Sequence, residues 1–343
     1  MITMRDVAAD ASVSAATVSA CLTGRRFVSP ETKAKVEASI NRLGYQPDSI
    51  ARSLRTGSTD IIGLVIPDIT NPFFTELVRD IQAEAKQIGY SILLSDCDFD
   101  VATERKALAL MRAQRIDGLI FCPGGARRDY TFETWPGDVP IVFVDNAWDD
   151  IPFDRVGLDN VVTAANVTRH VLERGHRRVA IIAGPTGNHG SDGRLQGFQQ
   201  ALAEAGLSLN PSLVRHGDFR EASGYQQALD LVSARTRPSA IFVANNNMLI
   251  GVMRALHDSG LTVPDDISVA AIDDFPWASA FRPALTTARQ PVRAIARHAL
   301  RLLRKRLGET KTLAREQIKL PGELVIRDSV APLPPSAGRA KGR

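Results

Sequence analysis

TMRDVAADASVSAATVSACLTG, residues 3–24, contains two short helical patterns separated by a tight break. Thr3 is an N-cap candidate with Asp6 three residues on, and Val7, Ala8 and Ala11 share one helical face, so a first helix of about two turns is expected. Ser12 and Val13 interrupt it. Ser14 then caps a second helix through Thr17, Val18, Cys21 and Leu22, which Thr23 and Gly24 end, because glycine readily takes the left-handed conformation of a helix C-terminus. A third helix starts at Ser29-Pro30-Glu31, with proline in the first turn and Val36, Ile40 and Leu43 on its apolar face. The expected core of this unit is Val7, Val13, Val18, Leu22, Val36, Ile40 and Leu43. Two helices this short, joined this tightly, commonly place the second helix in the major groove of DNA.

Outward from this unit the chain changes character. DSIARSLRTGST, residues 48–59, is small and polar and by itself too short to fold stably. Beyond it, apolar runs IIGLVIP (61–67), YSILLSD (90–96), DGLIFC (117–122) and PIVFVD (140–145) alternate with helical patterns after Pro72 and Thr103. The pattern repeats with RVAIIAG (178–184), SAIFVA (239–244) and ISVAAID (267–273). Continuous apolar strands spaced by helices predict parallel sheets covered on both faces, here two sheets in two lobes. Ligands of such sheets bind beyond the carboxyl ends of the strands. Those ends carry Asn71 with Phe73 and Phe74, Asp145 with Asn146, Gly184, Asp218 with Phe219, Asn245, and Asp273. Carboxylates, amides and aromatic faces suit a polyhydroxyl ligand. Arg194, near a helix start in GRLQGF, suits vicinal hydroxyls, a carboxylate or a phosphate.

The order DVA, VS, TVS, VSPET, LGYQP and ARSLRTG resembles the LacI/GalR (lactose/galactose-repressor) family of bacterial transcription regulators, and the resemblance runs from Thr3 to about Ser329. It implies an all-α helix-turn-helix domain (1–47), a hinge helix or linker (48–59) and a two-lobed, periplasmic-binding-protein-like α/β core (60–330). The N-lobe would hold about 60–160 and 290–320 and the C-lobe about 161–289 and 321–330, with 331–343 a disordered tail. By the same resemblance residues 49–56 order on an operator and Leu54 wedges into its minor groove, where an apolar insertion unstacks a flexible step and bends the duplex. The implied DNA-binding set is Thr3, Arg5, Ser14, Ala15, Ala16, Thr17, Ser19, Ala20, Arg25, Arg26, Tyr45, Ser49, Arg52, Leu54 and Arg55. The implied effector contacts are Phe73 and Phe74 of NPFF, Asp145 of VFVD, Arg194, Phe219 of GDF, Asn245 of VAN and Asp273 of AID. There are two departures from the family pattern. Ala15, Ala16 and Ala20 stand where base-reading side chains are usual, which leaves apolar contact with thymine methyls and puts weight on the hinge and on DNA shape. Asn245-Asn246-Asn247 stands where Asn-Asp is common.

Composition agrees with a multi-domain chain. The 343 residues are 44% hydrophobic and carry +4 formal charge. Residues 1–58 hold eight Lys and Arg against five Asp and Glu, and residues 331–343 three basic residues and no acid, so 59–330 is near −2. Cys21, Cys97 and Cys122 form neither a disulfide framework nor a zinc spacing. With no leader or membrane-length apolar run in the sequence, a cytoplasmic protein without cofactor or metal is expected. No nucleophile elbow, Walker loop, H-E-x-x-H or G-x-G-x-x-G after a strand occurs, so a hydrolase among the cleft acids is the poorer reading. A transport-type sugar-binding protein leaves the first 58 residues without purpose. The expectation is a ligand-responsive, operator-binding repressor acting as a homodimer, with α-helical residues 74–88 (Leu77, Val78, Ile81, Ala85) part of its interface. A sugar or sugar acid leads as effector, with a purine or phosphorylated metabolite as the alternative, and the resemblance favours an inducer although a corepressor is also allowed.

Overall fold

In a computed structural model, the structure describes residues 2–23, 26–46, 57–131, 139–307 and 314–333. The expectations for Arg25, Ser49, Arg52, Leu54 and Arg55 fall outside the described residues. The chain separates into two compact units, Met1–Thr59 and Asp60–Arg343.

In the first unit α1 (Met4–Asp10), α2 (Ala15–Thr23) and α3 (Pro30–Leu43) follow from their caps. Thr3 and Asp6 form a reciprocal capping box, the Thr3 N–H donating to the Asp6 carboxylate at 2.7 Å. Ser12 takes a left-handed conformation (φ +53°) between α1 and α2, and Ser29 caps α3, which Gly44 (φ +63°) ends. Val7, Val18 and Val36 are fully buried with Ala8, Ala11 and Tyr45, while Val13, Ile40 and Leu43 sit at the margin. Leu22, expected in the core, is 37% exposed. The inward stripe of α2 is Val18 and Cys21, three residues apart, and Leu22 lies a further 100° round the helix. Asp10 joins α1 to α3 by accepting from Ser39 and Arg42.

The second unit alternates strands and helices. Its elements are β1 (Ile61–Ile66), α4 (Pro72–Gln87), β2 (Ser91–Asp96), α5 (Val101–Ala113), β3 (Gly118–Phe121), β4 (Ile141–Val144), β5 (Asp154–Leu158), α6 (Asn160–Glu173), β6 (Val179–Ala183), α7 (His189–Glu204), β7 (Val214–His216), α8 (Glu221–Val232), β8 (Ala240–Val243), α9 (Asn246–Asp258), β9 (Ser268–Ile272), β10 (Thr286–Arg289), α10 (Val292–Leu307), β11 (Gln317–Leu320) and β12 (Glu323–Val325). Among the described residues the strands form two sheets, ordered β11-β5-β4-β3-β1-β2 and β12-β10-β9-β8-β6-β7. All pairings are parallel except β10 with β12. The chain crosses between the sheets after β5, after β10 and after β11, so each lobe is assembled from separate stretches of sequence. The lobes pack by different means: α4 and α10 cover β1, β3 and β4 through Leu77, Ile81, Ile295, Ala299 and Leu303, whereas α6 and α7 meet closely at Gly197. A Cβ on Gly197 would lie 2.1 Å from the Val161 carbonyl oxygen.

Three expectations need correction. The α4 face of Leu77, Ile81 and Ala85 is fully buried within its own lobe, with Val78 packed against that core, so it is not an interface. The tail does not begin at residue 331. Leu333 N–H donates to the Arg174 carbonyl at 2.7 Å, and the Ala331 carbonyl lies 3.1 Å from His176 Nε2, whose Nδ1 meets Ser239. The helix after β2 starts at Val101, two residues before Thr103, because the Asp100 carboxylate caps it. Among the described residues no helix is long and apolar enough to cross a membrane, and no cluster of His, Cys, Asp and Glu is arranged to hold a metal.

Candidate functional site

The first candidate surface is the N-terminal half of α2. Ser14 Oγ accepts the Thr17 N–H at 3.1 Å, which starts the helix, and lies 2.9 Å from Thr17 Oγ1. Ser14, Ala15 and Ala16 are exposed, and Thr17, Ser19 and Ala20 are half-buried. Thr3, Arg5 and Arg26 are exposed on the same unit. No charged residue occurs on α2, AATVSACLT. Its exposed positions therefore offer methyls and hydroxyls, suited to thymine methyls and phosphate oxygens. On α3, Lys33 pairs with Glu37 and Lys35 with Glu31, which leaves that helix nearly neutral. Tyr45 belongs elsewhere: its ring is 9% exposed and packs in the three-helix core, where a residue after an αL glycine returns to the helix it left. Arg42 and Asp10 likewise serve the fold.

The second candidate is the cleft between the lobes. Pro67, Asn71, Phe73, Phe74, Phe99, Pro123, Asp145, Asn146, Asn188, Gly190, Arg194, Phe219, Asn245, Asp273 and Gln290 line a cavity of about 30 Å³. Eight of the strand-end residues named above are among them, with Arg194, whereas Gly184 and Asp218 are not. Three of the eight stand on strained backbone: Asp145 (φ +65°), Phe219 (φ +68°) and Asp273 (φ +75°) are left-handed, a conformation tolerated by aspartate and costly for phenylalanine. The Phe219 ring fits there because residue 184 is glycine; a Cβ at Gly184 would stand 2.2 Å from the ring.

Charge is concentrated at the cleft floor. Arg194 is 5% exposed and donates from Nε to Asn160 Oδ1 at 2.8 Å and from Nη1 to the Ala244 carbonyl at 2.6 Å. Burial pushes the Asp145 carboxyl up to about 6, against the pull of Arg194, and raises Asp273 in the same way. Asp273 accepts from Gln290 Nε2 at 2.6 Å, while Gln290 Oε1 is buried without a partner among the described residues. Both carboxylates feel the positive charge of Arg194, although neither is within ion-pair distance of it. Arg194 Nε and Nη1 are engaged by the fold, and the two carboxylates in the lining outnumber this one cation.

Several expected contacts have structural duties. Asn71 Oδ1 caps α4 through the Phe73 N–H (2.9 Å), and Asn245 Oδ1 caps α9 through the Met248 N–H (3.1 Å). Asn146 donates to the Pro123 and Gly125 carbonyls and accepts the His189 N–H at 2.8 Å, which leaves its amide fully occupied. Phe73 and Phe74, 7% and 5% exposed, pack edge to face on each other in the N-lobe core and also line the cavity. The departure at Asn246 has a use: its Nδ2 donates to Asn71 Oδ1 across the lobes at 3.0 Å, which a carboxylate could not do. Further ties between the lobes are Arg220 to Asp98 (2.8 Å), Phe99 against Phe219 (6.0 Å), and Arg127 N–H and Trp148 Nε1 to the Gly187 carbonyl. Sequence reading missed Phe99, Asn188 and Gln290. Asn188 carries a helix-cap signal before α7, but Phe99 and Gln290 lie in short polar connections that carry no pattern.

A helix-turn-helix unit joined to a two-lobed α/β core with a charged, aromatic-walled cleft defines a ligand-responsive DNA-binding transcriptional regulator. Comparison with known proteins makes the assignment more specific. Residues 3–48 match the family described as bacterial regulatory proteins, lacI family, and residues 168–330 the periplasmic binding protein-like domain. The chain is 35% identical over 330 residues to the ribose operon repressor of Escherichia coli (strain K12), covering 96% of this chain and 100% of that one. It is 33% identical over 331 residues to catabolite control protein A of Priestia megaterium, covering 96% and 99%. The solved lac repressor dimer bound to operator and the anti-inducer ONPF has a TM-score of 0.85 at 30% identity, covering 96% and 99%. The chain belongs to the LacI family of bacterial regulatory proteins.

Proposed function

We propose that the protein is a cytoplasmic, homodimeric repressor without catalytic activity, which binds a pseudo-palindromic operator through α2 and releases it when a neutral monosaccharide enters the cleft. One observation carries the choice of effector: Asp145 and Asp273 line the cavity with a single guanidinium, whose Nε and Nη1 already donate to Asn160 and Ala244, so acceptors outnumber positive charge in the lining. Hydroxyl pairs satisfy such acceptors, and Phe99 and Phe219 cover the apolar face of a sugar ring. The similarity to a ribose operon repressor supports a pentose. Asn71, Phe73, Phe74, Asn146, Asn245 and Gln290 position these groups, while Asp145, Asp273, Arg194 and Phe219 meet the ligand. On DNA, Ala15, Ala16 and Ala20 approach thymine methyls, and Thr3, Arg5, Ser14, Thr17, Ser19, Arg25 and Arg26 hold phosphates. Ser49, Arg52, Leu54 and Arg55 act at the operator centre. A dimer presents two α2 helices about one helical turn of DNA apart, which matches two half-sites.

A thermal-shift screen of pentoses, hexoses, sugar acids, sugar phosphates and purines tests this. A neutral pentose is expected to raise the melting temperature most and to weaken DNA binding; stabilisation by sugar phosphates or purines alone would refute the assignment. A pH series adds a second check. Because Asp145 titrates near 6 and the bound sugar needs the carboxylate, affinity is expected to be about ten-fold weaker at pH 5 than at pH 7.5. Asp145→Asn should remove that dependence, and calorimetric titration showing flat affinity in the wild-type protein would contradict it.

A further inference from the structure

Glu104, on α5, is 1% exposed, and among the described residues no cation stands within ion-pair distance of it. A buried carboxylate without a counter-ion is costly, and burial raises its affinity for a proton. Two hydrogen bonds of 2.6 Å each offset that cost, from the Gly124 N–H and from the Tyr130 hydroxyl. The Tyr130 oxygen in turn accepts the Gly125 N–H at 2.9 Å, and the Asp129 carboxylate accepts the Ala126 N–H at 2.7 Å. Three successive N–H groups of the loop after β3 are thus anchored on N-lobe side chains. The next one, of Arg127, crosses to the C-lobe and donates to the Gly187 carbonyl at 3.3 Å. Glu104, Tyr130 and Asp129 do not line the ligand cavity.

The groups resting on this loop converge on one turn of the C-lobe. Asn146 Nδ2 donates to the Pro123 and Gly125 carbonyls at 2.8 and 3.0 Å, and Asn146 Oδ1 accepts the His189 N–H at 2.8 Å. The Tyr130 ring lies 5.2 Å from that of Trp148, whose Nε1 donates to the same Gly187 carbonyl at 3.3 Å. The Gly187 N–H donates to the Asp192 carboxylate at 3.1 Å, in the first turn of α7, the helix that carries Arg194. The loop has little slack: a Cβ at Gly124 would stand 3.1 Å from Glu104 Oε1, and one at Gly125 would stand 2.7 Å from Val101. A continuous set of contacts therefore runs from the Glu104 carboxylate, through the loop and the Tyr130 and Trp148 rings, to the start of α7.

We infer that Glu104, outside the cleft, is a positioning residue for closure of the two lobes on ligand: it fixes the 123–129 loop where Arg127 N–H, Trp148 and Asn146 together hold the 187–189 turn. The inference rests on the ligand-responsive reading above. A carboxylate accepts from Gly124 and Tyr130 at once, whereas an amide of the same shape has one oxygen and turns its NH2 group on the other donor. With one anchor lost the loop shifts, and the contacts at Gly187 weaken together.

The test uses full-length protein carrying Trp135→Phe and Trp277→Phe, which leaves Trp148 as its tryptophan emitter. Trp148 is 7% exposed, and its quenching by acrylamide, with no sugar present, is expected to rise at least about two-fold on Glu104→Gln while the far-UV circular dichroism stays unchanged. Tyr130→Phe removes the hydroxyl, keeps the ring against Trp148 and should give the same rise, so the inference stays testable if Glu104→Gln folds poorly. Calorimetric titration of the full-length protein with D-ribose reads the consequence. Affinity is expected to fall about five-fold in Glu104→Gln and in Trp148→Phe, and by no more than that in the double variant, because both act on one contact. A Glu104 that only stabilises its own lobe would give additive losses, about 25-fold in the double variant. Unchanged quenching in both single variants, or additive losses, overturns the inference and leaves the regulatory reading standing. A wild type that does not bind ribose counts against the pentose assignment, and the quenching result alone then decides the role of Glu104.

Discussion

Arg194→Met is expected to abolish ligand binding, weakening it by at least about 100-fold, and to destabilise the fold at neutral pH, because it removes the positive charge that offsets the burial of two carboxylates. Methionine keeps much of the volume, so the loss is electrostatic rather than a cavity. It also deprives Asn160 Oδ1 and the Ala244 carbonyl of their donor. The pH dependence identifies the cause. With Arg194 gone the folded-state pKa values of Asp145 and Asp273 rise further above the unfolded value, the folded chain then binds more protons than the unfolded one, and stability falls as pH increases through that window. The variant should therefore be distinctly more stable at pH 5 than at pH 8, as read by urea denaturation at the two pH values. Equal destabilisation at both would mean that Arg194 packs rather than compensates. Adding Asp145→Asn to Arg194→Met should recover part of the stability and none of the binding.

The second large effect is at the other end of the chain. Ala16→Glu places a carboxylate on the exposed first turn of α2, where a negative charge favours the helix through its dipole. Folding should be untouched. In a DNA groove the same carboxylate faces phosphates, and like-charge placement of this kind costs several kcal/mol. DNA affinity is expected to drop by at least about 100-fold at moderate salt, while the ligand-induced thermal shift stays at its wild-type size. Affinity within about three-fold of wild type would show that α2 does not enter the groove. Together the two variants separate the functions: one silences the cleft, the other the DNA contact.

Caps and apolar runs made most of this architecture readable. Thr3, Ser14 and Ser29 each start the helix expected of them, because a side-chain oxygen accepting an orphan N–H is a local matter that needs no tertiary context. Buried strands such as IIGLVI and AIFV read as continuous apolar runs for the same reason. What escaped was decided at a distance. β5 opens with Asp154 and Arg155, both nearly fully buried, and reads as a loop until Arg306 from α10 and Gln317 from β11 supply their partners. β10, β11 and β12 are three or four residues long, too short to show a period. The amphipathic face of α4 was legible as apolar, but nothing local says whether such a face meets its own sheet or another chain, and α10, over two hundred residues away, is what covers it.

The cleft divides similarly. Strand-end polar residues mark its position, since the carboxyl ends of parallel strands all open on one edge. Their duties follow only from geometry. Asn71, Asn146 and Asn245 line the cavity and also serve as caps and ties, duties the sequence does not show, while Gln290, with an orphan carbonyl oxygen at a crossover between the lobes, carried no signal at all. Tyr45 shows the same lesson in the first unit, where a residue that the resemblance implies for DNA closes a small core instead.

The central claim is that occupancy of the cleft and affinity for DNA are coupled through this one chain. Coupling of binding free energies is reciprocal: the factor by which a sugar weakens DNA binding equals the factor by which DNA weakens sugar binding. The decisive measurement is a pair of titrations on full-length protein, anisotropy of a labelled operator duplex with and without saturating pentose, and calorimetry of the pentose with and without saturating duplex. The account predicts a shift of about ten-fold or more, of the same size in both directions. Two affinities that ignore each other, in a protein that binds both partners, would contradict it.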